Sequence, residues 1–250
     1  MFDLNGKVAV ITGAGSGIGR GIALALAQAG ADILASDADG VHAEETAELV
    51  RKVGRRAVSN QADVRDRDQL EQMAELAMRE LGGLHIAVAN AGIGRGGSIL
   101  TMSEDDFDTQ MGVNLKGVWL GMKYQIPHML AKGGGAIVNT ASSAGVTGIP
   151  NVALYTASKH GVVGLTKATA LELAASKIRV NAVAPGPVDT GLLHRMIGGN
   201  IDVSVIAGQV PMKRVSQPEE TARAILWLCS DEASFVTGHT LVVDGGLTVG

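Results

Sequence analysis

The stretch YTASK sets Tyr155 and Lys159 four residues apart, a spacing that on a helix brings both side chains to one face. A phenol beside an ammonium is an acid/base pair, because the cation favours the phenolate and a phenolate can take a proton from an alcohol. A free tyrosine titrates near 10, so lowering it by about 3 units takes roughly 4 kcal/mol of selective phenolate stabilisation. A lysine a few ångströms away in a partly dry site, together with the positive charge of a hydride acceptor bound beside it, is of that order. The other tyrosine, Tyr124, has His128 at the same spacing and no cation there.

A second chemical stretch, TGAGSGIGRG, ends one apolar run and opens a helical pattern, with Gly13, Gly17 and Gly19 around Ser16 and Ile18. Small residues there let the backbone turn sharply and approach a pyrophosphate held on the free N–H groups of a helix N-terminus. About 20 residues further on, an acidic side chain at a strand end can accept hydrogen bonds from both adenosine ribose hydroxyls. Asp37 stands there, and its charge would repel a 2′-phosphate. Ala14, Gly15, Ser16, Ala38 and Asp39 bring no basic group to offset it. The pattern predicts NAD(H), with turn capping as the alternative role for Asp37.

Positioning these residues requires a regular frame, and apolar runs of strand length provide one: KVAVIT, ADILAS, RAVSNQ, LHIAVAN, GAIVNT, IRVNAVA and HTLVVD, with helical patterns between most neighbours. Alternation of this kind predicts a doubly wound, Rossmann-type α/β fold, a seven-stranded parallel sheet with helices on both faces in a single domain spanning 1–250. A composition of 46% hydrophobic residues, 34 glycines and few aromatics suits that frame. The irregular segment 186–217 reads as a substrate-binding loop or lid within the domain.

Other classes are excluded by composition. A net charge of −4 without a basic cluster argues against nucleic acid. The six histidines show no metal-ligand spacing and Cys229 is the single cysteine, so no metal and no disulfide are expected. Neither a leader pattern nor an apolar stretch of membrane-spanning length occurs. A cytoplasmic location without a membrane partner is the expectation.

Taken together, TGAGSGIG, NAG (Asn90 to Gly92), VNLKG, NTASSAG, YTASK, PGPVDT and VDGG resemble the short-chain dehydrogenase/reductase family over essentially the whole chain. The resemblance implies a catalytic tetrad of Asn114, Ser142, Tyr155 and Lys159, with Ser143 as the less favoured serine. Lys159 would also hold the nicotinamide ribose, Ser142 would stabilise charge on the substrate oxygen, and Asn114 would hold a water linking Lys159 to solvent. It further implies cofactor contacts at Asp63 and Val64 (adenine), Asn90, Ala91 and Gly92, and Pro185, Gly186, Val188 and Thr190.

The expected reaction is interconversion of a secondary alcohol and a ketone by hydride transfer with NAD. Small or apolar walls at Gly94, Ala144, Ile149, Val152, Pro187, Leu192, Leu193, Met196 and Ile197 suit a neutral, moderately hydrophobic substrate. The resemblance also implies a homotetramer paired through two apolar helical segments, DDFDTQMGVNLKGVWLGMKYQIPHML and ASKHGVVGLTKATALELAAS. Two alternatives stay open: an NADPH-dependent 3-oxoacyl-thioester reductase and a non-catalytic nucleotide-sensing protein.

Overall fold

Strand β1, Val8–Thr12, reads VAVIT and is buried along its length. Successive side chains of a strand point to opposite faces, so Val8 and Val10 enter one core with Met73, Met122 and Val162. Ala9 and Ile11 enter the other with Ile22, Leu26 and Ile225. An unbroken apolar run is what a strand covered on both faces needs.

The computed structural model describes residues 2–196 and 202–249, which leaves Ile197, one of the expected substrate walls, outside the described residues. Strands β2 (Asp32–Asp37), β3 (Ala57–Gln61), β4 (Ile86–Ala89), β5 (Gly135–Thr140), β6 (Ile178–Pro185) and β7 (Thr240–Val243) complete a sheet of order β3-β2-β1-β4-β5-β6-β7. Every pairing is parallel. The expected fold is therefore the observed one. The order reverses between β1 and β4, where Thr12 pairs with Ala89, and the crevice beyond the strands' carboxyl ends opens at such a reversal.

Helices α1 (Gly17–Gln28), α2 (Gly40–Lys52) and α9 (Pro218–Cys229) contribute to the core on one face of the sheet. On the other lie α3 (Arg67–Leu81), α5 (Gly117–Ala131) and α6 (Ala153–Leu173). The apolar run expected as one helix around residues 105–130 is instead α4 (Glu104–Met111), a π-helical turn at Gly112–Lys116, and α5. The wider turn re-aims the chain between two α-helices, and such π-bulges recur at functional sites. Asn114 sits inside it, with no exposed surface.

Segment 186–217 leaves the sheet after β6 and forms α7 (Gly191–Met196) and α8 (Val203–Gln209). Its two ends are fastened by a bridge between Val188 and Ser216. Ser216 donates to the Pro187 carbonyl and Asp189 donates to the Ser216 carbonyl, each at 2.9 Å. Cys229 is buried on α9, where burial pushes its thiol up to about 12. Among the described residues no helix is long and apolar enough to cross a membrane, and no group of three His, Cys, Asp or Glu could hold a metal ion.

At the sheet's opposite end, the Val8 N–H donates to His85 Nδ1 at 3.0 Å, which requires that nitrogen to be unprotonated. Burial first, then the charges of Lys7 and Lys132, holds His85 below its ordinary value of 6.5. The unfolded chain therefore binds this proton before the folded one does, and stability falls as pH drops through 6.5 toward the folded value. His85→Asn puts an amide oxygen where Nδ1 stands and so keeps an acceptor for Val8 without titrating. In thermal melts, the wild type should lose more melting temperature between pH 7.5 and 5.5 than this variant does.

Candidate active site

The loop from β1 into α1 turns at Gly13, whose φ of +63° is left-handed. A Cβ there would lie 2.8 Å from Ala91 Cα, and one on Gly19 would collide with the Gly13 carbonyl oxygen. Glycine is what allows strand end, helix start and the segment after β4 to meet this closely. Asp39 caps α2 and Asp66 caps α3 through their side chains, but Ser16 at the start of α1 makes no such bond and no acidic residue occupies its first turn. That helix end is left to an anion. A dinucleotide pyrophosphate fits it.

At the end of β2, Asp37 accepts from the Gly15 N–H at 2.9 Å and from the Asp39 N–H at 3.0 Å. Its carboxylate is thus folded against the glycine loop, while α2 is capped by Asp39. A guanidinium that the pattern of the loop did not announce stands beside it. Arg20 donates to the Gly15 carbonyl at 2.6 Å and to Thr46 Oγ1 at 3.0 Å. It also pairs with Glu45 at 2.8 Å, so its charge is partly neutralised within the protein.

Asp63 pairs with Arg65, and hydrogen bonds from this guanidinium hold the carboxyl below the usual range. Val64 is buried after it, against Gly117. Asn90 fastens β4 to the loop: its Nδ2 donates to the Thr12 and Gly13 carbonyls at 3.2 and 3.1 Å, and its N–H donates to Thr12 Oγ1 at 3.1 Å. Gly17 faces the Thr190 methyl, and Pro185 and Val188 are buried where β6 gives way to the lid segment. Gly186 packs on Asp244.

Around the acid/base candidates the structure brings all four tetrad residues together. Ser142 Oγ accepts from the Ala144 N–H at 3.2 Å at the start of a 3-10 turn, Ser143–Gly145. Ser143 is only 4% exposed, whereas Ser142 is half-buried and stands close enough to Tyr155 to pull its hydroxyl toward ionisation. Lys159 Nζ donates to the Thr140 carbonyl at 2.7 Å and lies 5.7 Å from the Tyr155 ring centre. A Cβ on Gly92 would meet Asn114 Oδ1 at 3.5 Å and Lys159 Nζ at 3.6 Å, which puts those two groups around one small space.

By itself the protein does not make this phenol acidic. Burial pushes Tyr155 above its ordinary value, against the nearby Ser142 side chain, which pulls it down. Burial also brings Lys159 down to about 8. A desolvated cation loses part of the charge that was to stabilise the phenolate, and the phenolate loses water as well. Tyr124 also proves to have a cation, Lys123, but over its ring face at 5.6 Å to the centre.

Of the expected substrate walls, Gly94 is pressed by Met196 of α7, and Val152 bridges to Gly97. Leu192, Leu193 and Pro187 are half-buried and Ile149 is exposed. Ala144 departs from the expectation: within the 3-10 turn it is buried, at 1% exposure, and shows almost no surface to a ligand.

Residues 13–248 match the family described as Enoyl-(Acyl carrier protein) reductase. The cyclohexanol dehydrogenase of Acinetobacter sp. (strain SE19) is 44% identical over 98% of this chain and 96% of its own length. A 3-oxoacyl-acyl-carrier-protein reductase of Thermotoga maritima is 39% identical over 98% of this chain and 99% of its own. The crystal structure of carveol dehydrogenase from Mycobacterium avium in complex with NAD matches with a TM-score of 0.93 at 37% identity, covering 100% of both chains. This chain is a short-chain dehydrogenase/reductase.

Short-chain dehydrogenases/reductases are oxidoreductases that bind a nicotinamide cofactor, which agrees with the uncapped α1 and the glycine loop. Two glycine substitutions separate the halves of this site. Gly19→Ala should abolish binding of the reduced nicotinamide cofactor in a fluorescence titration, because its methyl meets rigid backbone at the Gly13 carbonyl. Gly94→Ala meets only the flexible thioether of Met196. Its melting temperature and cofactor affinity should stay near wild type, while KM for the substrate rises in steady-state assays.

Proposed function

We propose that this enzyme interconverts a neutral secondary alcohol and its ketone using NAD(H), with Tyr155 as acid and base. The observation carrying this reading is the convergence of Tyr155, Lys159 and Ser142 at the strands' carboxyl ends, next to the β1–α1 loop. Gly13, Ser16, Gly17, Ile18 and Gly19 would hold the pyrophosphate, Asp37 the adenosine ribose, Asp63 and Val64 the adenine. Asn90, Ala91, Gly92, Pro185, Gly186, Val188 and Thr190 would surround the nicotinamide half. When bound, the oxidised nicotinamide accepts hydride and adds a positive charge to the cleft.

In oxidation Tyr155 takes the alcohol's hydroxyl proton, and in reduction it returns one to the ketone oxygen. Ser142 donates a hydrogen bond to the substrate oxygen as charge develops there. Lys159, anchored on the Thr140 carbonyl, would bias the phenol toward ionisation together with the positive nicotinamide ring. The Asn114 turn would hold water next to Lys159, giving the proton an exit. The cyclohexanol dehydrogenase relative and the apolar walls favour a cyclic or otherwise compact alcohol, with segment 186–217 as its lid.

Pairing through the face of α4, α5 and α6 is the proposed basis of a homotetramer. A groove of about 680 Å³ runs there between Met111, Leu115, Trp119 and Leu165, and Trp119 is 45% exposed. The relative in Thermotoga maritima supports a second reading, a 3-oxoacyl-thioester reductase, which as an NADPH enzyme the Asp37 carboxylate opposes. A buried cysteine and the absence of a spanning helix among the described residues accord with a cytoplasmic location.

Tyr155→Phe should abolish turnover, read at the NADH absorbance band with a panel of secondary alcohols, while NADH still binds. NADH should bind at least about tenfold more tightly than NADPH, a difference of about 1.4 kcal/mol, and Asp37→Ser should narrow it. Tighter NADPH binding would reverse the cofactor assignment. Light scattering at micromolar concentration should show a tetramer, and a monomer alone would defeat the pairing.

A further inference from the structure

Ser158 lies inside YTASK between the catalytic candidates, yet it has no exposed surface and cannot touch substrate or cofactor. Its hydroxyl donates to the Tyr155 carbonyl at 2.7 Å. Its oxygen accepts from Asn114 Nδ2 at 3.1 Å. The same Asn114 side chain closes a two-sided clasp on Ile93: Oδ1 accepts from the Ile93 N–H and Nδ2 donates to the Ile93 carbonyl, both at 2.9 Å. One amide thereby ties the segment after β4, the π-helical turn and α6.

The chemistry of that junction depends on a serine. Asn114 has two amide N–H groups in a dry site, and one is spent on Ile93. The other needs an acceptor from α6, where backbone carbonyls in the helix interior point along the axis toward N–H groups four residues on and not sideways to Asn114. A hydroxyl that bonds back to a carbonyl three or four residues earlier has an oxygen left over to accept. Alanine at 158 would orphan a buried donor, a costly state in a low-dielectric interior. Ser158 is therefore where α6 is fastened to Asn114, one residue from the ammonium of Lys159 and three from the phenol of Tyr155.

We propose that Ser158 is a positioning residue for the reaction, holding α6 in register with the Asn114 turn so that Tyr155 and Lys159 face the cleft at working distance. The proposal rests on the dehydrogenase reading given above. A shift of the acid/base group by about 1 Å can cost up to 100-fold in rate. Removal of this fastening should accordingly act on kcat more than on cofactor binding.

The test compares Ser158→Ala, Ser158→Cys, Asn114→Ala and the double variant Asn114→Ala/Ser158→Ala, using the alcohol that the wild type turns over fastest. Ser158→Ala should lower kcat by about 10- to 100-fold and displace the kcat pH profile, with the NADH Kd within about twofold of wild type. Ser158→Cys, whose thiol is a weak donor and acceptor, should fall between the two and remain readable if the alanine variant fails to fold. Adding Ser158→Ala to Asn114→Ala should cost nothing further, since both act through one bond.

A Ser158→Ala enzyme that melts earlier but keeps wild-type kcat and pH profile would overturn the proposal, as would full additivity in the double variant. Tyr155→Phe run alongside separates the two levels. If it is inactive while Ser158→Ala is wild type, only this proposal falls. If it turns over at the wild-type rate, the dehydrogenase reading falls and the proposal with it.

Discussion

The site depends on one hydrogen bond, from the buried ammonium of Lys159 to the carbonyl of Thr140 at 2.7 Å. A cation removed from water is tolerated only where it is paired or hydrogen-bonded, and here its anchor is the last residue of β5. That single contact sets the helix carrying the phenol against the strand that leads into Ser142. Tyr155 stands one helical turn before the lysine and Ser142 two residues beyond the carbonyl, so all three groups inherit their spacing from it. Asn114 then approaches from the other side through Ser158 and Gly92.

A similar economy governs the cofactor half. Helices after β2 and β3 begin with aspartates that satisfy their own N–H groups. The helix after β1 begins without one. A cap typically contributes about 1 kcal/mol, so leaving it out at the switch point trades stability for an open anion site. Natural sequences break local rules of this kind mainly at functional positions. The glycines next to it follow the same logic, since close backbone approach replaces side-chain packing at Gly13 and Gly19.

What was legible in the sequence follows from which signals are local. Seven apolar runs became seven parallel strands because a strand covered on both faces must be apolar at every position, and no tertiary knowledge is needed to see that. YTASK brought its tyrosine and lysine together because helical spacing is local too. The π-helical turn was hidden, since one added residue per turn leaves the composition of the segment unchanged. The Asn114 clasp on Ile93 and the salt bridge that occupies Arg20 were hidden for a different reason. Both join residues more than 20 positions apart, and only the completed sheet sets them side by side. Ala144 was expected among the small or apolar walls, but it is buried within the 3-10 turn.

The acid/base pair shows why residue types alone understate the electrostatics. Placing a lysine near a tyrosine suggests that the phenol becomes acidic, yet burial acts on both partners and in opposite directions. The phenol moves up, the ammonium moves down to about 8, and the uncharged pair gains on the ion pair. The protein by itself therefore holds Tyr155 as a proton donor, the form that ketone reduction uses. Alcohol oxidation would need the phenolate, which further positive charge in the same dry cleft would favour. A low dielectric that penalises ionisation before such a charge arrives also strengthens its effect once present. Burial thus makes the proton on Tyr155 responsive to what occupies the space beside it, a coupling that an exposed pair at the same spacing would lack.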